Sequence, residues 1–107
     1  MSGSGPAYLY YLLESMERAA LSLGLHEAQA RQLALATCQG AATLARQTIE
    51  SPALLRGRVT SKGGTTQAAV EVLEARKVQE AFIAAIQAAA ERSRELSLRA
   101  SSQDDQG

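Results

Sequence analysis

Apolar side chains recur at three- and four-residue intervals along three long segments of this chain. The first follows Pro6 and ends near Gly24, the second covers about 28–47, and the last covers about 76–98. This spacing places apolar residues on one face of an α-helix, whereas a β-strand would need alternation at every second position. β-Branched residues are sparse and never alternate over the length of a strand. The pattern predicts an all-α fold.

Local signals separate these segments and add two short helices. Gly24 is a natural helix stop, because glycine readily takes the left-handed conformation past a helix end. Ser51-Pro52 is a cap followed by a first-turn proline, and it predicts a short helix to about Arg58. Gly63-Gly64 favours an irregular turn, and residues 65–73 have the pattern of a further short helix.

The length of 107 residues leaves room for one domain, predicted over residues 1–100, with a polar disordered tail over 101–107. We expect a helical bundle of about three long and two short helices. Alanine makes up much of the 46% apolar share, and alanine-rich cores give little burial energy per residue. The apolar stripes are also wide for so small a core. We therefore expect an interlocked homodimer that shares them.

Charge and cysteine content narrow the classes of partner. Eleven basic residues balance eleven acidic ones, which argues against nucleic acid or an anionic membrane. The apolar run Ala7–Leu13 is too short to span a bilayer. A lone Cys38 allows no internal disulfide and is typical of a small buried filler. His26 has no second ligand at metal-binding spacing. We expect a cytoplasmic protein without a metal.

The segment Ser61-Lys62-Gly63-Gly64-Thr65-Thr66 carries the most suggestive chemistry. The two glycines uncover backbone amides, and the helix that follows presents free N–H groups and the positive end of its dipole. Small hydroxyl side chains add further donors, and such an arrangement binds a carboxylate or a phosphate. Alternatively, Thr65 only caps the helix and the glycines only form a turn. The residues alone favour this alternative, since such helix starts are common.

A longer stretch carries a family resemblance. Pro52 to Glu74 is similar, in residues and spacing, to the signature segment of pyrroline-5-carboxylate reductases. Ser2–Tyr8 resembles the opening of that family's carboxy-terminal domain, and Glu91–Leu96 resembles its closing helix. Three motifs in the right order, spread over nearly the whole chain, make the resemblance specific. It favours the anion-binding interpretation of the loop.

The resemblance implies an activity and an assembly. The family reduces 1-pyrroline-5-carboxylate to L-proline with NADPH or NADH, the last step of proline biosynthesis. An amino-terminal Rossmann domain holds the nucleotide, and the helical domain interlocks with that of another subunit, from which the family also builds higher oligomers. Gly3-Ser4-Gly5 does not complete a dinucleotide fingerprint. We therefore expect the Rossmann domain to be absent and the isolated chain to bind no cofactor and to be inactive.

The resemblance also implies roles for single residues. The substrate carboxylate would be cradled by the amides and hydroxyls of Ser61, Gly63, Gly64 and Thr65. Thr66 would be the catalytic residue, near the ring nitrogen, where it orients the imine and assists its protonation. Val59 would add a backbone contact. Lys62 stands where many family members have proline, and it adds a positive charge beside the anion.

A second hypothesis comes from a different class of protein. The chain could be a free-standing helical protein-interaction module with no ligand site, in which the Gly63-Gly64 segment is only a turn. The loop discriminates the two hypotheses, since binding requires uncovered donors at one place.

Overall fold

The computed structural model describes residues 4–106, with side chains through residue 101. Five helices follow one another: α1 (Gly5–Ser22), α2 (Glu27–Arg46), α3 (Pro52–Arg58), α4 (Thr65–Ala75) and α5 (Val78–Gln106). No residue between 4 and 106 lies in a β-strand. The predicted all-α class, with three long and two short helices, is confirmed.

The turn between α1 and α2 is set by Gly24, whose φ is +100°. Its N–H donates to the carbonyl of Leu21 at 3.0 Å, and the N–H of Leu25 donates to the carbonyl of Ala20 at 3.1 Å. Together these bonds form a Schellman motif and satisfy carbonyls that the helix end would otherwise leave unpaired. The predicted stop at Gly24 is confirmed, and it turns the chain so that α2 packs along α1.

The short helix α3 is closed at both ends. Ser51 Oγ accepts the N–H of Leu54 at 3.2 Å, and Pro52 is the first helical residue, as predicted. At the other end Arg58 forms an ion pair with Glu50 at 2.5 Å, which ties α3 back to the segment that precedes it. Seven residues are too few for a helix that is stable alone. These end contacts therefore fix the helix that leads into the candidate loop.

The turn between α4 and α5 depends on Lys77, a non-glycine residue with a φ of +56°. The N–H of Lys77 donates to the carbonyl of Glu74 at 3.0 Å. The left-handed conformation interrupts the helical path. As a result α5 begins at Val78, two positions after the start near Arg76 that the sequence predicted.

The far end of α5 also differs from the prediction. The helix continues to Gln106, past the expected end near Leu98 and through residues 101–106, where a disordered tail was predicted. No proline or glycine occurs between Val78 and Gln106. Extension of an existing helix costs little free energy per residue, so polar residues can follow the helical path. The last residue, Gly107, lies outside the described residues.

The helices form two hairpins, α1 with α2 and α4 with α5. The rings of Tyr8 and Phe82 meet edge to face, with centroids 6.5 Å apart, so α1 also touches α5. The radius of gyration is 18.3 Å, whereas a compact domain of this length would have about 13 Å. The arrangement is therefore open and elongated, with extents of 61 × 33 × 30 Å, rather than a closed bundle.

The interior of this open arrangement is small. Among the residues whose side chains are described, the buried hydrophobic ones are Ala20, Ala30 and Ala34. Larger apolar side chains on every helix are exposed, among them Leu9, Leu33, Leu44, Leu54, Leu73 and Ile83. Covering one such side chain would contribute about 1.5–3 kcal/mol. The described chain thus leaves large apolar side chains exposed on each of its helices.

Candidate functional site

The candidate loop joins the end of α3 to the start of α4. The N–H of Val59 donates to the carbonyl of Arg56 at 3.3 Å, and the N–H of Thr60 donates to that of Gly57 at 3.2 Å. Thr60 Oγ1 also donates to the Arg56 carbonyl at 2.6 Å. These bonds use carbonyls that the end of α3 would leave unpaired. The loop is therefore anchored to α3 before its glycines begin.

A tight turn follows from Ser61 to Gly64. The N–H of Gly64 donates to the carbonyl of Ser61 at 3.0 Å, which closes the turn. Gly63 has a φ of +75°, a conformation that glycine adopts without a steric penalty. A Cβ on Gly64 would lie 2.6 Å from Ser61 Oγ and 3.2 Å from the Ser61 carbonyl oxygen. Gly63 is thus required by the backbone conformation, and Gly64 is required because a Cβ would clash with Ser61.

The backbone amides of the loop divide into two groups. The N–H of Gly64 is occupied by Ser61, and the N–H of Gly63 donates to the side-chain Oε1 of Gln67. Within residues 4–106, the N–H groups of Thr65 and Thr66 make no hydrogen bond. Both belong to the first turn of α4, where the helix dipole favours an anion. Between Gly63 and Gln67, the amides that remain available to a ligand are therefore those of the first turn of α4, on Thr65, Thr66 and Gln67, and not those of the two glycines.

The hydroxyl groups of the loop are also uncommitted. Gly64 occupies the N-cap position of α4, so Thr65 is the first helical residue and does not cap the helix. In the described part of the chain, the hydroxyls of Ser61, Thr65 and Thr66 form no hydrogen bond. Ser61 and Thr65 are exposed, while Thr66 is half-buried. The interpretation in which Thr65 serves only as a cap is wrong.

The structure brings most of the predicted site residues together. Ser61 to Thr66 form one continuous turn and helix start, whereas Val59 stands apart at the end of α3 with 68% of its surface exposed. A separate groove of about 370 Å³ lies between α3 and the α4–α5 turn. Arg56, Leu73, Glu74 and Lys77 line it, and the loop does not. The loop is thus an open surface in this chain rather than an enclosed pocket.

Charges around the loop are arranged unevenly. Arg56 lies 3.8 Å from Glu74, and Arg58 is paired with Glu50, so carboxylates accompany both arginines of α3. Lys62 is exposed and has no carboxylate partner among the residues that the structure describes. A small anion at the loop would therefore lie near the ammonium group of Lys62, for which no carboxylate competes among the described residues.

Gln67 is the residue of this site that sequence reasoning missed. It is the third residue of α4, half-buried, and its carboxamide oxygen accepts the Gly63 N–H. Glutamine at the third helical position is a known capping signal, since it can reach back to an amide before the helix. A related contact is present at α2, where Gln29 Oε1 accepts the N–H of the N-cap residue His26 at 3.2 Å, whereas Gln67 accepts from the residue before the N-cap Gly64. The signal was therefore present in the sequence.

The other candidate residues have structural surroundings. His26 is the N-cap residue of α2. Cys38 is half-buried, with its Sγ 3.9 Å from the Sδ of Met16 across the α1–α2 hairpin. The described residues contain no cluster of three His, Cys, Asp or Glu side chains that could hold a metal ion. Between residues 4 and 106, none of the helices is long and apolar enough to cross a bilayer.

Comparison with known proteins identifies the family. A family model described as pyrroline-5-carboxylate reductase dimerisation matches residues 1–96. The chain belongs to this family. The pyrroline-5-carboxylate reductase of Corynebacterium melassecola is 47% identical over 96 residues, a match that covers 90% of this chain and 36% of that protein.

Solved structures agree with the observed fold of the dimerisation domain. A pyrroline-5-carboxylate reductase from Coxiella burnetii superimposes with a TM-score of 0.85 at 46% identity, covering 90% of this chain and 36% of that one. The Plasmodium falciparum enzyme, solved with NADP bound, gives 0.83 at 30% identity, covering 86% and 35%. The chain spans about a third of the length of these relatives.

Proposed function

We propose that this chain is the dimerisation and substrate-binding domain of an NAD(P)H-dependent pyrroline-5-carboxylate reductase. The enzyme reduces 1-pyrroline-5-carboxylate to L-proline in the last step of proline biosynthesis, in the cytoplasm. Membership in the dimerisation family supports this proposal. The reductases of known structure that share the fold support it further, one of them holding NADP.

The substrate carboxylate binds the loop at the start of α4. The observation that carries this part of the proposal is the pair of uncommitted amides on Thr65 and Thr66, next to three uncommitted hydroxyls. Two N–H groups at a helix start match a carboxylate in charge and geometry. Gly63 and Gly64 shape the turn that presents these donors, and Lys62 adds long-range attraction.

Thr66 serves the reacting end of the substrate. Its hydroxyl can donate to or accept from the ring nitrogen of the imine, and so orients the ring and assists protonation of that nitrogen. Val59 contributes a backbone contact. The hydride comes from NADPH or NADH, which a Rossmann domain of the full-length enzyme holds. The isolated chain therefore catalyses no reduction.

The second half of the site comes from a second copy of the chain. The loop lies open in one copy, and the interior holds only three buried alanines among the described side chains. A homodimer covers the apolar faces of the hairpins and encloses the loop. Such dimers can assemble further into higher oligomers.

A chimera tests the proposed activity. This chain replaces the matching region of the Corynebacterium melassecola reductase, and NADPH oxidation is measured with 1-pyrroline-5-carboxylate. We expect reductase activity in the chimera and none in the 107-residue chain alone. Thr66→Val keeps the shape and removes the hydroxyl, so kcat should fall by about 100-fold.

The matched control is Thr43→Val, which makes the same change at an exposed position of α2. It should leave kcat and KM unchanged. A folded, dimeric chimera that binds NADPH but reduces no substrate would contradict the proposed function and favour a helical interaction module without a ligand site.

A further inference from the structure

Gln67 connects the two ends of the candidate loop. Its Oε1 accepts the N–H of Gly63, four residues earlier, and its side chain is half-buried against the start of α4. Gly63 is also the residue with a φ of +75°. The contact therefore holds the loop at the point where its backbone is most free to change conformation.

This contact determines which amides a ligand can reach. Without an acceptor from Gln67, the Gly63 N–H would be a further uncovered donor, two residues before that of Thr65. A carboxylate could then bridge a different pair of donors and bind in a shifted position. With the Gly63 and Gly64 amides occupied, the uncommitted donors that follow the turn are those of the first turn of α4.

The neutral charge of Gln67 matters for the same reason. Glutamate at the third helical position caps a helix start at least as well as glutamine, and its charge interacts favourably with the helix dipole. A purely structural cap would therefore accept glutamate. A carboxylate at position 67 would, however, repel the carboxylate of a ligand bound at the amides of the same helical turn.

We propose that Gln67 is the positioning residue of the substrate-carboxylate loop, which holds the Gly63 amide with a neutral acceptor so that the amides of the first turn of α4, and not that of Gly63, receive the substrate. The inference rests on the proposed function, since it assumes that the loop binds a carboxylate. Gln67 acts through the backbone of Gly63 and does not itself take part in the reaction.

Ligand titration of the 107-residue chain tests this role. The ¹⁵N-labelled chain is titrated with L-proline, and amide chemical shifts at positions 63 to 66 report binding. In the wild-type chain, the Thr65 and Thr66 amides should shift and the Gly63 amide should stay nearly constant. Gln67→Glu should lower the affinity for L-proline by about tenfold through like-charge repulsion. Gln67→Met, which removes the acceptor without adding charge, should lower it by about threefold through loss of the contact.

Two controls distinguish a role of Gln67 in positioning the loop from a role in capping the start of α4. Gln29→Glu and Gln29→Met make the same changes at the third position of α2, where Gln29 accepts from His26, and should leave the affinity unchanged. L-Prolinamide lacks the carboxylate, so Gln67→Glu should not weaken its binding. The melting temperature of Gln67→Glu should not fall, because the cap is retained.

The outcomes distinguish the role of Gln67 from the proposed carboxylate site on which it rests. If L-proline changes neither the Thr65 nor the Thr66 amide chemical shift in the wild-type chain, the carboxylate site and the role of Gln67 are both overturned. Wild-type binding combined with unchanged affinity in both Gln67 variants would overturn the role of Gln67 alone. Equal losses in the Gln29 variants would assign the effect to helix capping and would also overturn it.

Discussion

Gly63 and Gly64 are adjacent in the loop, and each position excludes a side chain for its own reason. At Gly63 the backbone lies in the left-handed region, where a Cβ is strained whatever the surrounding space. At Gly64 the backbone is extended, but Ser61 fills the space that a Cβ would take. Substitutions at the two positions should therefore act through different causes.

At the residue scale, Gly63→Ala should lower the free energy of unfolding by roughly 1 kcal/mol, because alanine must adopt a positive φ there. Gly57→Ala is the matched control, since Gly57 lies inside α3 with open space around its Cα. That change should raise the free energy of unfolding by up to about 1 kcal/mol through helix propensity. Urea unfolding at one fixed protein concentration measures both. A Gly63→Ala variant as stable as the Gly57→Ala variant would contradict the strained-turn argument.

At the element scale, the cap of α3 is the contact that a single substitution tests most directly. Ser51→Ala removes the Oγ that accepts the Leu54 N–H, and should destabilise the chain by about 1 kcal/mol. Ser93→Ala makes the same change at an exposed position inside α5, where alanine is the better helix former. Thermal melting should place Ser51→Ala several degrees below wild type and Ser93→Ala at or above it. Equal melting temperatures would show that the cap contributes nothing measurable.

Helix boundaries were predictable wherever a residue with a special backbone preference marks them. Gly24 ends α1 and Ser51 with Pro52 opens α3, because these residues act within one turn of the chain. The start of α5 was misplaced, since Lys77 takes a left-handed conformation that its side chain does not favour. Lysine carries no local signal for this conformation, unlike the glycine that ends α1.

The location of the candidate loop was predictable from the sequence, but the hydrogen bonds of its backbone amides were not. Its glycines and hydroxyl residues were compatible with an anion site, which the family resemblance favoured over a simple turn, and the loop lies directly before α4. Which amides remain available could not be read from the sequence, since that depends on where the side chain of Gln67 points. The roles of Ser61 to Thr66 in binding remain predictions.

At the scale of the whole molecule, the predicted all-helical fold of three long and two short helices is confirmed, and one copy of the chain forms an open pair of hairpins. Sequence periodicity showed which faces are apolar, but it could not show that most of them stay uncovered within one chain. We expect the 107-residue chain to sediment as a dimer at micromolar concentration. Sedimentation equilibrium measures this. A stable, folded monomer at that concentration would contradict the shared-core argument.

The sparse interior also bears on how the chain acquires its fold. With three alanines as its buried hydrophobic residues among the described side chains, a single copy has little to hold its hairpins in place. In a dimer, folding and association then become one bimolecular event, and the unfolding midpoint rises with protein concentration. In a cell that carries two alleles of the gene for such a chain, a destabilised subunit would form heterodimers with the wild-type subunit. The stability of the wild-type subunit would then fall as well.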